Sequence, residues 1–290
     1  MEYKGIILAG GSGTRLWPIT SSFSKHFIPV FDKPMIYYPL TTLILAGVKE
    51  VLIICNSSDK ELFESLLNNG EQWGVKITYK IQPTARGIAD ALIIGEDFID
   101  NSSSILILGD NFLYGPGLGR NLSEFIARKG AAITAYEVSE PSQFGVVVFD
   151  KDDNPIELIE KPEKFISKWA IPGIYFYDKT ASSRAKLLKP SNRGELEITE
   201  LNRSYLVDGE LKVHKLPRGT AWLDLGTPIG ILEAGSFVRI IQDRQGILVG
   251  SPHEAALQVE LVGKKHLIKY LKNQKSSYAI KIIDEIVDQF

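Results

Sequence analysis

Residues 5–18 read GIILAGGSGTRLWP, and the passage from a short apolar run into a glycine-rich turn decides the class of fold. Such a run, bounded by glycine, reads as a strand buried on both faces. The pattern recurs in EVLIIC, KITYKI, SILILG and AAITAYEV, with helix-like segments near 39–47, 59–68, 87–98 and 119–129 between them. Strands alternating with helices predict an α/β fold, a mainly parallel central sheet with helices on both faces. Ligands of such sheets bind beyond the carboxyl ends of the strands. Chemistry is therefore expected just after each run.

After about residue 140 the texture changes to FGVVVFD, PIELIEK and AIPGIYFYD, then a helical stretch through EITELNRSYLVDG and a strand pair, KVHKLP and AWLD. These extend the same sheet and provide room for a second substrate. From Gly226 the signals are helical to Phe290. That C-terminal helical extension would cover the core, pair subunits or hold an effector, packing being the simplest role.

With 290 residues, 44% of them hydrophobic, the chain can bury a sizeable core. The 33 basic and 35 acidic residues leave a formal charge of -2, so no global field draws the protein to nucleic acid or an anionic membrane. Neither is expected as a partner. The single cysteine, Cys55, lies in VLIIC and reads as a buried free thiol. No apolar run approaches the ~18 residues needed to span a bilayer, and no basic-then-apolar leader precedes the first strand. The cytoplasm is the expected location.

Glycines at 10, 11 and 13 allow close backbone approach, so successive N–H groups can cradle phosphate oxygens. A dinucleotide fingerprint would need a small residue where Leu16 stands, and a P-loop would need Gly-Lys-Ser/Thr after four spacers. Both readings fail. Arg15 and, ten positions on, Lys25 in Ser24-Lys25-His26 supply what a bare glycine turn lacks. An arginine fork suits a polyphosphate, and a lysine suits the phosphorus under attack, where negative charge spreads in the transition state.

Asp110 ends SILILG, where this fold puts its ligands, and Asp224 ends AWLD before a Gly turn. Mg2+ is usually held by one or two carboxylates plus substrate phosphates, and the pair can share one ion only if their strands converge. Alone, either could be a turn residue. Glu160-Lys161 ends another strand, fitting a carboxylate on sugar hydroxyls and a lysine on a phosphate, or a plain strand boundary. Arg193 lies on a Gly-containing loop, and Gly145 either admits a ligand or marks a bulge. These parts suit attack of a sugar phosphate on the α-phosphorus of a nucleotide, with pyrophosphate leaving. The nucleophile, with a second pKa of about 6, is already ionised near neutrality. No general base is needed.

In order, LAGGSGTRLWP, FDKPMIYYPL, LGDN, FGVV, EKP, RGELEIT and AWLDLGT resemble the bacterial glucose-1-phosphate thymidylyltransferases along essentially the whole chain. The resemblance implies dTTP and α-D-glucose 1-phosphate as substrates, dTDP-glucose and pyrophosphate as products, Mg2+ as cofactor, and a homotetramer. It implies a nucleotidyltransferase core over 1–227, with a nucleotide half at about 1–140 and a sugar-phosphate half at 141–227, and the helical extension over 228–290. Leu8, Gly10, Gly11, Gly13, Thr14 and Arg15 would cradle the nucleotide, with Lys25 at its reacting phosphates, Gln82 and Gly87 at the base, and His26 and Asp110 also binding it. Asn111, Gly145, Glu160, Lys161, Ile171, Pro172 and Arg193 would take the sugar phosphate. Asp110 and Asp224 would hold the metal, and Arg15, Lys25, Asp110 and Lys161 would carry catalysis.

Six positions depart from the family pattern. His26 stands for Gln, Ala85-Arg86 for Pro-Asp, Asp90 for Gln, Pro172 for Thr and Glu200 for Asp. They leave the phosphate and metal groups intact and bear on base and sugar choice. The rival readings are a uridylyltransferase, a transferase for another hexose or amino-sugar 1-phosphate, and a regulatory subunit that binds a nucleotide sugar without catalysis.

Overall fold

In the computed structural model, which describes residues 3–11, 13–125 and 129–289, the first apolar run is strand β1 (Lys4–Ala9). A small hairpin of β2 (Pro29–Val30) and β3 (Lys33–Pro34) follows, and the next expected runs form β4 (Glu50–Cys55), β5 (Lys76–Ile81) and β6 (Ser104–Leu108). The second half supplies β7 (Asn111–Tyr114), β8 (Ala131–Glu137), β9 (Gly145–Phe149), β10 (Pro155–Glu160), β11 (Trp169–Ala170), β12 (Ile174–Tyr177), β13 (Leu211–Lys215) and β14 (Ala221–Asp224). The helices are α1 (Tyr37–Leu45), α2 (Lys60–Leu67), α3 (Asp90–Ile94), α4 (Glu96–Ile99), α5 (Leu118–Phe125), α6 (Ala181–Lys186) and α7 (Ile198–Val207). After them come α8 (Pro228–Gln245), α9 (Pro252–Gln258), α10 (Lys264–Asn273) and α11 (Ser277–Gln289).

The expected α/β architecture is present. Its central sheet runs β10-β9-β11-β8-β12-β6-β1-β4-β5, with β13 beside β8. Strands β6, β1, β4 and β5 are parallel, whereas β12 enters antiparallel between β6 and β8. Because successive side chains in a strand face opposite ways, Ile7, Ile53 and Ile107 pack on one face with Leu40, Leu43 and Ile44 of α1 and Phe63 of α2. Ile6, Leu52, Ile54 and Leu106 pack on the other with Leu92 of α3, Ala185 of α6 and Leu201 and Tyr205 of α7. The unbroken apolar runs are thus explained by burial on both sides.

Three local expectations change. AIPGIYFYD divides into β11 and β12, since Pro172 has no N–H to give a ladder. The segment at 87–98 divides at Gly95 into α3 and α4. KVHKLP and AWLD do not pair: β13 joins β8, while β14 forms a separate antiparallel ribbon with β7. Pro217 and Gly219, the latter at φ 92°, turn the chain between them. Of the expected helix at 119–129, positions 126–128 lie outside the described residues.

The helical segment after Thr227 is fastened to the core at several points. Thr227 caps α8 by accepting from Gly230 N–H, and Ala234 and Val238 join Leu16, Val30, Tyr38 and Phe112 in one cluster. Gln242 of α8 donates to Asp32 at 3.0 Å and accepts from Lys33 at 3.2 Å, tying the helix to the hairpin beyond Lys25. Helices α9 to α11 enclose a satellite core around Leu257, Leu267, Leu271 and Ile282. Cys55 is free and buried, and burial, followed by the nearby Asp59, pushes its thiol up to about 11. Among the described residues no helix is long and apolar enough to cross a membrane.

Fully buried Leu43 seats α1 on β1, with Gly5 leaving the space its side chain needs. Leu43→Ala is expected to cost about 2–5 kcal/mol, read as a lower urea midpoint with an unchanged slope.

Candidate active site

The turn after β1 brings Arg15 and Lys25 to two different acids. Gly13 takes φ 61°, a left-handed conformation suited to glycine, and starts a single 3-10 turn over Thr14–Leu16. Leu16 is buried and anchors it, leaving Arg15 outside to meet Asp224 at 3.4 Å. Lys25, which opens a later short turn over Lys25–Phe27, pairs with Asp110. Both side chains of this second pair are largely buried. Burial alone would push the Asp110 carboxyl up, but the Lys25 ammonium and its hydrogen bond outweigh it and hold the group below the usual range.

The β7–β14 ribbon brings the two acids to one cavity. Asp224 lies opposite Asn111, and Leu225 N–H donates to the Asp110 carbonyl at 3.0 Å. Asn111 is buried and accepts from Gly173 N–H at 2.9 Å and from the Trp222 indole at 2.7 Å. Trp222 therefore braces both the ribbon and the crossing to β12. Each acid carries a cation at present, and the described residues contain no cluster of three metal-ligating side chains. Two carboxylates on one cavity still suit Mg2+, which completes its shell with phosphates and water.

A cavity of about 340 Å3 opens between them, lined by Arg15, Asp110, Asn111, Gly145, Glu160, Lys161, Ile171 and Asp224 among others. Every group expected on the sugar side lies there except Pro172 and Arg193. Ile171 and Gly173 line the wall, but buried Pro172 between them does not. Arg193 stands outside, drawn to Glu197 at 2.9 Å and to Glu160 at 3.4 Å. Lys161 takes φ 43°, a left-handed conformation uncommon for a side chain of its kind, next to Glu160, which accepts from Thr199 at 2.6 Å. Thr199, Asn202, Tyr175 and Trp222 also line the cavity; Thr199 and Trp222 lie in the EIT and AWLD motifs, while Asn202 and Tyr175 carried no sequence signal of their own.

On the nucleotide side, Leu8 is paired within the sheet, and Gly10 lies flat against Gln82: a Cβ at Gly10 would come within 2.6 Å of Gln82 Oε1. Gly11 faces Lys25, whose Nζ would be 4.0 Å from such a Cβ. Gly87, at φ 102°, lets its loop press on the Leu196 backbone. Gly10, Gly11, Lys25, Asp110 and Gln82 thus adjoin one another at the ends of β1, β5 and β6.

His26 departs from the expected nucleotide contact. Its ring is only 1% exposed, hydrogen-bonded to Ser24 at 2.7 Å and pressed on Gly109, where any Cβ would fall 2.5 Å from the ring. It packs beneath Lys25 and offers a ligand no ring atom. Burial, then the charge of Lys25, push its pKa down to about 3 against an opposing pull from Asp110. The unfolded chain takes up this proton below 6.5 and the folded chain resists it, so stability falls on acidification from pH 6.5 toward about 3. His253, pushed down to about 4 by burial and then Lys33, has the same sign. His26→Gln is expected to remove part of the acid slope of Tm, followed by circular dichroism, and leave the remainder to His253.

The family model for nucleotidyl transferases matches residues 4–240. The chain is 47% identical over 285 residues to a Mycolicibacterium smegmatis glucose-1-phosphate thymidylyltransferase, covering 97% of this chain and 99% of the relative. It is 49% identical over 282 residues to the protein of that name from Xanthomonas campestris pv. campestris, covering 96% of each. A solved Bacillus anthracis protein provisionally named a glucose-1-phosphate thymidylyltransferase superposes with TM-score 0.76 at 39% identity, covering 82% of this chain and 95% of its own. A UDP-glucose pyrophosphorylase structure shares the fold, with TM-score 0.73 at 23% identity over 84% of this chain and all of its own. With the family match spanning residues 4–240 and relatives at 47% and 49% identity covering nearly the whole chain, the chain belongs to the nucleotidyl transferase family.

Proposed function

We propose that the protein transfers a thymidylyl group from dTTP to α-D-glucose 1-phosphate, giving dTDP-glucose and pyrophosphate. The observation that carries this reading is the pairing of Lys25 with Asp110 and Arg15 with Asp224 at the mouth of a cavity that also holds Glu160 and Lys161. A pure binder has no use for that full set of charges. The names of the relatives at 47% and 49% identity support the choice of nucleotide and sugar.

In this reading the glycine turn and Arg15 hold the triphosphate, and Lys25 bears on the α-phosphoryl oxygens. Lys161 orients the sugar phosphate and Glu160 a sugar hydroxyl, with Arg193 able to close from the rim. The phosphate oxygen forms a bond to the α-phosphorus as the bond to pyrophosphate breaks, without a proton to remove. Catalysis is then alignment plus stabilisation of charge on the phosphoryl oxygens. Asp110 and Asp224 would hold Mg2+, which neutralises phosphate charge when bound. Assembly as a homotetramer and a cytoplasmic location accompany this reading.

Purified protein with Mg2+ is expected to release pyrophosphate fastest with dTTP and glucose 1-phosphate in a matrix of four triphosphates against several sugar 1-phosphates. UTP or another hexose 1-phosphate in first place would transfer the assignment to that pair, and no release with any pair would refute the enzyme reading. Asp110→Asn should lower kcat by about a hundredfold or more, with a lower Tm and a native dichroism spectrum at 25 °C. Wild-type turnover in that variant would remove Asp110 from the chemistry.

A further inference from the structure

Next to the glycine turn, three side chains form a chain that ends outside the cavity. Gln82 is 5% exposed and follows β5, with its amide lying across Gly10. Its Nε2 donates to Asp90 Oδ2 at 3.1 Å, and Arg86 donates to Asp90 Oδ1 at 2.5 Å. Asp90, at the start of α3, is 1% exposed, whereas the Arg86 side chain is 57% exposed and reaches in from the surface. The loop between them is clamped at both ends: Leu196 N–H donates to the Arg86 carbonyl at 2.6 Å and Ala89 N–H to the Leu196 carbonyl at 3.2 Å. Neither Asp90 nor Arg86 has a direct place in the phosphoryl chemistry.

The chemistry of the acceptor fixes the direction of the Gln82 amide. A glutamine amide has a donor end and an acceptor end of nearly equal size, and a carboxylate paired with an arginine only accepts. The NH2 end must therefore face Asp90, which turns Oε1 toward Gly10 and the nucleotide turn. If Gln82 flipped, two oxygens would oppose one another in a buried site, at a cost of about 1–3 kcal/mol for the unmet groups. Arg86 supplies the counter-charge that a carboxylate so deeply placed requires.

We infer that the Arg86–Asp90 pair is a positioning device for base selection: it holds Gln82 with its carbonyl oxygen presented to the nucleotide base. An accepting oxygen there complements a base edge carrying an imino N–H, as in thymine or uracil, and opposes cytosine, whose ring nitrogen at that point is itself an acceptor. The inference rests on the nucleotidyl-transfer reading of the site, with the base beside Gln82 as the family resemblance implies, and adds to it two residues and a physical basis for discrimination. It also gives the departures at 86 and 90 a joint role, since the charge at each is balanced by the other.

The test uses the full-length protein with Mg2+ and glucose 1-phosphate, comparing dTTP with dCTP. Asp90→Asn is nearly isosteric and can present either a donor or an acceptor to Gln82, so it frees the amide to turn. The wild-type preference in kcat/KM for dTTP over dCTP is expected to shrink by about tenfold or more in this variant, chiefly through KM. Arg86→Ala should move the ratio the same way, and Arg86→Lys should restore most of it. Calorimetric binding of each nucleotide without sugar phosphate should show the same change in ratio. An equal loss for both nucleotides, or an unchanged ratio, overturns the positioning role while leaving dTTP turnover as the mark that the site reading stands. A wild-type protein that neither binds nor turns over either nucleotide overturns both.

Discussion

A carboxylate removed from water needs a positive partner, and the architecture of this site follows from meeting that need twice. Asp110 is buried between strand ends, and Lys25 holds it below the ordinary carboxylate range. Leaving such a charge unpaired costs about 3–5 kcal/mol, so the turn that carries Lys25 is tied to the folded state by electrostatics as well as by packing. Asp224, half-exposed, has the weaker and more open counterpart in Arg15. The result is a mouth lined by both signs in a protein whose overall charge is near balance. Phosphates can be received there by exchange of partners, without a field spread over the whole surface.

The positions of these cations depend on distant parts of the chain. The turn after Gly13 is held by Leu16, which packs with Val30, Tyr38 and Ala234 of α8. Asp32 and Lys33 share Gln242 of the same helix a few residues beyond Lys25. The C-terminal helices therefore brace the charged turn from behind, although none of their residues lines the cavity. His26 serves the same segment from beneath by packing neutral against Gly109.

The sheet was legible in sequence because its inner strands are apolar on both faces, so EVLIIC and SILILG need no context to be recognised. The acids and bases were legible because each stands at the end of such a run or beside a glycine turn. What sequence did not show were pairings between remote segments. Nothing in KVHKLP and AWLD says that a turn at Pro217 and Gly219 sends them to different neighbours. His26 and Pro172 were assigned by family resemblance, and only the fold shows the His26 ring packed against Ser24 and Gly109. Ile171 and Gly173, on either side of Pro172, line the cavity, and Pro172 does not. Gln82, Arg86 and Asp90 are close in sequence, but only their folded distances reveal a linked chain of hydrogen bonds.

The two-stranded ribbon of β7 and β14 constrains how this chain can vary by descent. Its register sets Asp224 opposite Asn111 and Trp222 opposite Leu113, and since side chains alternate between faces, a shift of one residue would reverse them all. Along 111–114 and 221–224, exchange of one side chain for another changes only that residue's own contacts. An insertion or deletion of one codon in either strand would instead turn an acid away from its partner. The site therefore depends more on the length of these strands than on any one of their outward side chains.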